Sequence, residues 1–118
     1  MLKLKLLAGF MFIASSIPVL ADEACVAPEL PELPAYGALL SYDQLNEATG
    51  LVQTYAMANT AYKTCLDALI LDPGSVSREA WRAAMENYNT AGADQNALGK
   101  AYDKLNEDWV ETHKAKSE

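Results

Sequence analysis

The sequence contains few of the side chains from which catalytic centres are usually built. Among 118 residues there are one histidine, His113, and two cysteines, Cys25 and Cys65. A serine or cysteine nucleophile needs a neighbouring base, and the one histidine lies near the end of a predicted helix with no serine placed to use it. Two cysteines joined in a disulfide would leave no thiol nucleophile. The sequence therefore predicts no enzymatic activity, no catalytic residue and no cofactor.

Ligands for metals are also scarce, because the chain has no paired set of histidines and cysteines. The segment beginning at Asn87 resembles a calcium-binding loop only loosely, since Leu98 stands where a glutamate would close the loop. No metal site is predicted there. Acidic side chains do gather at one end of the predicted hairpin: Asp43, Glu47, Asp103, Glu107, Asp108 and Glu111. They could hold a cation weakly, although a solvated acidic face is the simpler interpretation.

The only long hydrophobic run is at the N-terminus. Lys3 and Lys5 precede an apolar stretch over residues 6–17, and Pro18 and a Val-Leu-Ala ending at Ala21 follow it. The run is too short to span a bilayer, so residues 1–21 are predicted to be a secretory signal peptide, with an uncleaved anchor as the alternative. Cleavage would leave 97 residues in the periplasm without a stable membrane anchor.

Basic residues are outnumbered, with nine Lys and Arg against sixteen Asp and Glu. Two of the nine, Lys3 and Lys5, leave with the signal peptide, so the mature chain has seven basic residues and a formal net charge of −9. Such a surface repels phosphate backbones and anionic lipids. Nucleic-acid binding is therefore not expected.

An even number of cysteines in an exported chain indicates a disulfide, here between Cys25 and Cys65. The alternative is a lipoprotein in which Cys25 carries the lipid. Ala24 suits that alternative, but Asp22 and Glu23 do not, because the processing peptidase prefers apolar and small residues there.

Residues 22–40 are predicted to form an extended, proline-rich arm. The segment 28–34 reads P-E-L-P-E-L-P, and this period of three matches the three residues per turn of polyproline II. Leu30 and Leu33 would then share one ridge, which favours an arm lying on an apolar surface. A flexible linker is the alternative.

Two long helices are predicted after the arm, over about 42–71 and 78–113. Ser41 and Gln44 form a capping box before the first helix, Ser77 caps the second, and Pro73 and Gly74 separate them. In the first helix the expected apolar seam has steps of three and four: Ala48, Leu51, Tyr55, Ala58, Tyr62, Cys65 and Leu69. In the second it comprises Trp81, Ala84, Tyr88, Ala91, Gln95, Leu98, Tyr102, Leu105 and Trp109.

The predicted fold is an all-α antiparallel two-helix hairpin over residues 41–118, similar to a coiled coil, with the arm as a third layer. Residues that meet across the turn would have numbers summing to about 150. The near-repeats YDQLNE at 42–47 and YDKLNE at 102–107 would then lie side by side, as core patterning and not as a duplicated unit.

A possible interaction stripe follows the second helix. It combines polar residues seven positions apart with the tyrosines of the seam: Tyr62, Tyr88, Asn89, Asn96, Tyr102 and Asp103. Gly92 and Gly99 lie on the other side of the seam. Such a groove could take the arm itself, a second copy in a homodimer, or an extended peptide of a partner. Docking of the arm there is the favoured hypothesis.

Several short motifs occur together: Cys25 followed by prolines, Tyr62 three residues before Cys65, and the pairs Tyr88-Asn89 and Tyr102-Asp103. This combination resembles a group of small, uncharacterised, exported bacterial proteins that are disulfide-stapled helical hairpins, although Asp103 stands where that group has asparagine. The resemblance implies a periplasmic location and a Cys25–Cys65 bond, and no activity. The predicted function is a structural or protein-interaction module whose partner is another protein or a second copy. The alternatives are weak binding of a cation or small ligand, and a holdase-like chaperone.

Overall fold

The computed structural model describes residues 25–117, so the predicted signal peptide and residues 22–24 of the arm lie outside the described residues. Two helices, α1 (Tyr42–Ile70) and α2 (Arg78–Ser117), pack against each other as a helical hairpin. Short 3-10 turns at Gly37–Leu39 and Pro73–Ser75 precede them, and no strand occurs between residues 25 and 117. The all-helical prediction is confirmed for this range, although α2 continues four residues beyond the expected end.

Both helix starts follow the expected local chemistry. The Ser41 hydroxyl accepts a hydrogen bond from the Gln44 N–H at 3.1 Å, and the Gln44 side chain accepts one from the Ser41 N–H at 2.8 Å. This reciprocal pair is the predicted capping box, and it satisfies two of the N–H groups that a helix start leaves without partners. The Ser77 hydroxyl accepts from the Ala80 N–H at 3.1 Å in the same way.

The seam of α2 lies where the sequence places it. Its inner column is fully buried and consists of Ala84, Ala91, Leu98 and Leu105. The flanking column is half-buried and consists of Trp81, Tyr88, Gln95, Tyr102 and Trp109. Contacts to α1 include hydrogen bonds from the Trp81 indole N–H to the Ile70 carbonyl at 2.9 Å and between the Thr49 and Tyr102 hydroxyls at 2.6 Å.

The buried face of α1 differs in part from the predicted seam. Tyr55 and Tyr62 are buried as expected, but the buried residues beside them are those four positions after each tyrosine and not those three positions after. Leu51 and Ala58 are exposed and Cys65 is half-buried, whereas Leu45, Asn59 and Leu66 are buried. The predicted seam followed apolar residues only and therefore did not include the polar Asn59, which is buried.

The outer column of α1 instead faces the start of the arm. Cys25 and Cys65 form a disulfide with their Cα atoms 5.6 Å apart. Cys25 is buried in a cluster with Leu66 and Ala91, so the bonded cysteine also fills space between the helices. The helices alone would leave this position open, since alanines line the α2 side.

The arm does not lie where the sequence analysis expected. Residues 30–35 line a hollow together with Ala97, Leu98 and Ala101 of α2. Apart from the neighbouring turns of α2, no atom of the described residues lies within 4 Å of a Cβ added at Gly99, and the Lys63 amine lies 3.9 Å from one at Gly92. The favoured hypothesis of an arm in the glycine groove is therefore wrong for these arm residues, because the disulfide to Cys65 fixes the start of the arm on the other flank.

The end of the arm is fixed tightly against α2. Gly37 is buried, and a Cβ at this position would overlap the Leu105 carbonyl oxygen. Three residues later the Leu40 carbonyl accepts a hydrogen bond from the Trp109 indole at 3.1 Å. Leu40 also packs with Leu45 and Leu105 in a second core cluster. Neither described helix has a segment both long and apolar enough to cross a bilayer.

Candidate functional site

The predicted interaction stripe does not form one surface. Its aromatic members serve the packing of the hairpin: Tyr62 is buried in the cluster around Cys25, and the Tyr102 hydroxyl contacts Thr49. The Tyr88 ring lies beneath the Lys63 ammonium, which is 4.9 Å from the ring centroid and forms a cation–π contact. The polar members are exposed on α2: Asn89, Asn96 and Asp103.

A buried polar layer that the sequence analysis missed crosses the middle of the hairpin. Asn59 is 1% exposed, and its amide N–H₂ donates to the Ala91 carbonyl and to the Gln95 side-chain oxygen, both at 3.1 Å. The signal for it was Gln95, the one polar residue of the α2 seam, because a buried amide needs a polar partner across the interface. Nearby, burial and then the Asp94 carboxylate raise the pKa of the Tyr55 phenol above its ordinary value.

A shallow polar hollow of about 250 Å³ adjoins Tyr88. It is lined by hydroxyls, one amine, one carboxylate and the tyrosine ring: Thr60, Lys63, Thr64, Asp67 and Tyr88. The Lys63 ammonium already occupies the exposed side of the ring, so this hollow is part of the packing between the two helices.

An apolar hollow of about 390 Å³ lies between the arm and α2. Leu30, Leu33 and Leu98 line it, and its only charged member is Lys104, which pairs with the Asp108 carboxylate at 3.1 Å. This hollow offers apolar surface without a polar group that would orient a ligand. It shows that the arm bridges the alanine flank without filling it.

Within residues 25–117, three large and exposed apolar side chains lie close together in the sequence where the arm enters α1. We call Tyr36, Leu39 and Tyr42 the junction patch; their exposed fractions are 69%, 78% and 62%. Most exposed apolar side chains elsewhere in the described chain, such as Met57 and Leu71, stand singly along the helices. Three large exposed side chains within seven residues make this segment the candidate interaction site, because clusters of exposed apolar side chains often mark such sites.

The backbone beneath the junction patch is held in place. Gly37 lets the 3-10 turn lie directly against the Leu105 carbonyl. Within the turn, the Leu39 and Leu40 N–H groups donate hydrogen bonds to the carbonyls of Tyr36 and Gly37 at 3.3 and 3.2 Å. The patch thus projects from a fixed turn, which lowers the ordering cost of binding.

Aromatic rings support the patch from α2. The Tyr42 ring lies 5.9 Å from the Trp109 ring, and Trp109 stacks on the His113 ring at 3.9 Å. The Nδ1 atom of His113 is 2.8 Å from the Trp109 carbonyl. His113 therefore packs against Trp109 within α2.

Acidic side chains surround the patch without forming a metal site. Asp43 and Glu47 are exposed in the first turns of α1, and Asp108 lies beside Gly37. Among the described residues, no three or more Asp, Glu, His or Cys side chains are close enough to hold a metal ion. The cation-binding alternative therefore receives no support from the geometry.

Comparison with known proteins adds no family to this description. No protein-family model matches the chain. Searches of the curated proteins and of the solved structures found no significant match either. The function must therefore be argued from the site itself.

Sequence reasoning missed Tyr36 and Leu39 as surface residues. The polyproline pattern ends at Pro34, and the helix cap begins at Ser41, so the residues between were treated only as the end of the arm. The available signal was a glycine flanked by large apolar residues just before a helix cap, which is typical of a short turn seated on another element.

Proposed function

We propose that the mature chain is a non-catalytic protein-interaction module of the periplasm, and that the junction patch is its binding surface. The single observation that carries this proposal is the exposure of Tyr36, Leu39 and Tyr42 on a turn fixed by Gly37. Tyrosine and other large apolar side chains dominate the energetics of protein interfaces, and a fixed backbone reduces the entropy lost on binding.

The proposal includes an antiparallel hairpin with an extended arm across one flank. Hydrogen bonds between Ile70 and Trp81, Asn59 and Ala91, and Thr49 and Tyr102 support this arrangement, since each pair of numbers sums to 150 or 151. In such a hairpin the first turns of α1 and the last turns of α2 share one end. The junction patch and the acidic residues of both helices then belong to the same end.

Export to the periplasm is part of the same proposal. A disulfide between Cys25 and Cys65 is compatible with an oxidising compartment. The leader predicted over residues 1–21 and the resemblance to exported helical-hairpin proteins point in the same direction. Intact-mass measurement on protein from the cell envelope tests this: it should find a chain that begins at Asp22, without free thiols and without lipid.

The binding surface is tested by site-specific photo-crosslinking in the cells that produce the protein. A photo-reactive amino acid replaces Leu39 in one variant and the equally exposed Met57 in the matched control. We expect a discrete crosslinked protein from position 39 and none from position 57. The absence of a product at position 39, or the same products from both positions, would show that the junction patch is not the binding surface.

A holdase-like chaperone is the second candidate, because Val26 and Leu30 of the arm add exposed apolar surface near the same chain segment. A holdase suppresses aggregation of many unfolded clients, whereas an interaction module binds one partner. Suppression of client aggregation that is lost in a Leu39→Ser variant would favour the chaperone.

A further inference from the structure

We propose that the junction patch docks a protein segment whose apolar face is bordered by lysine or arginine side chains. This inference rests on the proposed function and specifies its partner. It follows from the charges around the patch and from the exposure of its side chains. Leu39 is the most exposed of the three, and tyrosines such as Tyr36 and Tyr42 are enriched among the residues that carry the binding energy of interfaces.

Most of the charged side chains in the two segments that form and contact the patch are acidic. Residues 36–47 contain two carboxylates, Asp43 and Glu47, and no basic side chain. Residues 103–114 of α2, which include the Trp109 that contacts Tyr42, contain four carboxylates and two lysines. Lys104, the lysine nearer the arm, is already paired with Asp108. The apolar patch therefore has an acidic border, and a complementary partner has a basic one.

The same charges argue against other occupants. A second copy that bound through the same patch would bring both acidic borders together, and like charges facing each other across an interface are unfavourable. An anionic membrane surface and a nucleic acid are repelled for the same reason. A cationic, amphipathic protein segment would complement both the apolar centre of the patch and its acidic border.

The test uses an 18-residue amphipathic helical peptide of leucine and lysine, labelled for fluorescence anisotropy, and the full disulfide-bonded protein. A peptide with glutamate in place of lysine is the charge control. We expect the lysine peptide to bind and its Kd to rise at higher salt, because screening weakens the attraction between the acidic border and the lysines. Tighter or equal binding of the glutamate peptide would overturn the proposal.

Paired variants locate the binding. Tyr36→Ala with Leu39→Ala should raise the Kd at least about tenfold, as expected for interface anchors, whereas Met57→Ala with Leu71→Ala should leave it within about twofold. Asp43→Asn with Glu47→Gln should raise the Kd several-fold. Glu79→Gln with Glu86→Gln is the matched control, since Asp43 and Glu79 both lie in first helical turns.

Each remaining outcome has a separate meaning. Equal weakening by both charge pairs would show general attraction of a polycation to an acidic protein and would overturn the proposal. Self-association by light scattering that is lost in Leu39→Ala would identify a second copy as the occupant. Crosslinks from position 39 in cells without binding of the lysine peptide would leave the proposed function intact and disprove the partner's chemistry.

Discussion

At the scale of single residues, two glycines show how position decides the effect of the same substitution. A Cβ at Gly37 would overlap the Leu105 backbone carbonyl, whereas one at Gly50 would meet nothing within 4 Å. Gly50 lies inside α1, where glycine is a poor helix former, and Gly37 permits the arm to touch α2.

We therefore predict opposite signs for Gly37→Ala and Gly50→Ala. The first should lower the free energy of unfolding by about 1–3 kcal/mol through overpacking against backbone. The second should raise it by about 0.5–1 kcal/mol through better helix propensity. Urea unfolding followed by circular dichroism measures both. Equal effects of the two substitutions would contradict the close packing of the 3-10 turn against α2.

The buried amide of Asn59 is a second residue with a strong predicted effect. Asn59→Ala removes two hydrogen bonds and leaves the Gln95 side-chain oxygen without this donor. The free energy of unfolding should fall by about 1–3 kcal/mol. The control is Asn96→Ala at an exposed position of α2, where a change within about 0.5 kcal/mol is expected. A small effect at both positions would show that the polar layer contributes little to stability.

Tyr55 gives a pH dependence with a definite sign. Burial and the Asp94 carboxylate raise its pKa in the folded protein above the 10.0 of a free tyrosine. The unfolded chain therefore loses this proton first, so stability is complete below about pH 10 and declines as the pH rises until the folded-state pKa is passed. Urea midpoints between pH 9 and pH 11 should fall less steeply for Tyr55→Phe than for the unsubstituted protein. Parallel curves would contradict the raised pKa.

At the scale of elements, α1 shows how a heptad pattern can be assigned to the wrong column. Tyr55 and Tyr62 fit either of two buried faces of α1. One face also contains Leu51 and Ala58, and the other also contains Leu45 and Asn59. Hydrophobicity favours the first, and the structure has the second. The choice depends on what lies opposite: Gln95 needs a polar partner, and the small side chains of Ala84 and Ala91 leave room for Cys25.

The arm and the disulfide form one element whose removal has a predictable effect. The bond closes a loop of 40 residues, and constraining the unfolded chain in this way contributes about 4 kcal/mol. Between residues 26 and 35, within the described chain, no backbone hydrogen bond joins the arm to a helix. The arm therefore depends on its covalent end and on side-chain packing.

Reduction, or the double substitution Cys25→Ser with Cys65→Ser, should lower the free energy of unfolding by about 3–4 kcal/mol. Hydrogen exchange should rise most in residues 26–35 and less near Leu40, whose carbonyl is bound by Trp109. Reduction of the doubly substituted protein is the control and should change nothing. Uniform loss of protection along both helices would show that the arm is not an independently releasable element.

At the scale of the whole molecule, the two flanks of the hairpin are unequal. The arm covers the flank that contains Cys65, Ala97 and Ala101, and no described arm residue lies within 4 Å of a Cβ added at Gly92 or Gly99. The sequence identified the glycines as a docking groove because small residues permit close approach. The disulfide at Cys65 fixes the start of the arm on the opposite side, so connectivity and not residue size decided which groove is used.

Net charge also acts on the whole molecule. The full sequence has a formal net charge of −7, and charges of one sign repel each other when the chain is compact. We predict that raising NaCl from 10 to 150 mM increases the melting temperature by a few degrees, since screening is strong at the higher ionic strength. A variant with Asp43→Asn and Glu47→Gln should respond less. A decrease on adding salt would show that attractive pairs such as Lys104 with Asp108 outweigh the repulsion.

The sequence by itself determined the helices, their caps, the seam of α2 and the pairing of the cysteines, because each depends on neighbouring residues or on a short periodic pattern. Ser41 with Gln44 and the column from Ala84 to Leu105 are examples. Only the tertiary structure decided that Asn59 is core, that the arm lies on the alanine flank, and that Tyr36 and Leu39 face solvent. Those outcomes depend on contacts between residues far apart in the sequence. The burial of the Asn59 amide and the contact of Gly37 with the Leu105 carbonyl arise only when the two helices and the arm are packed together.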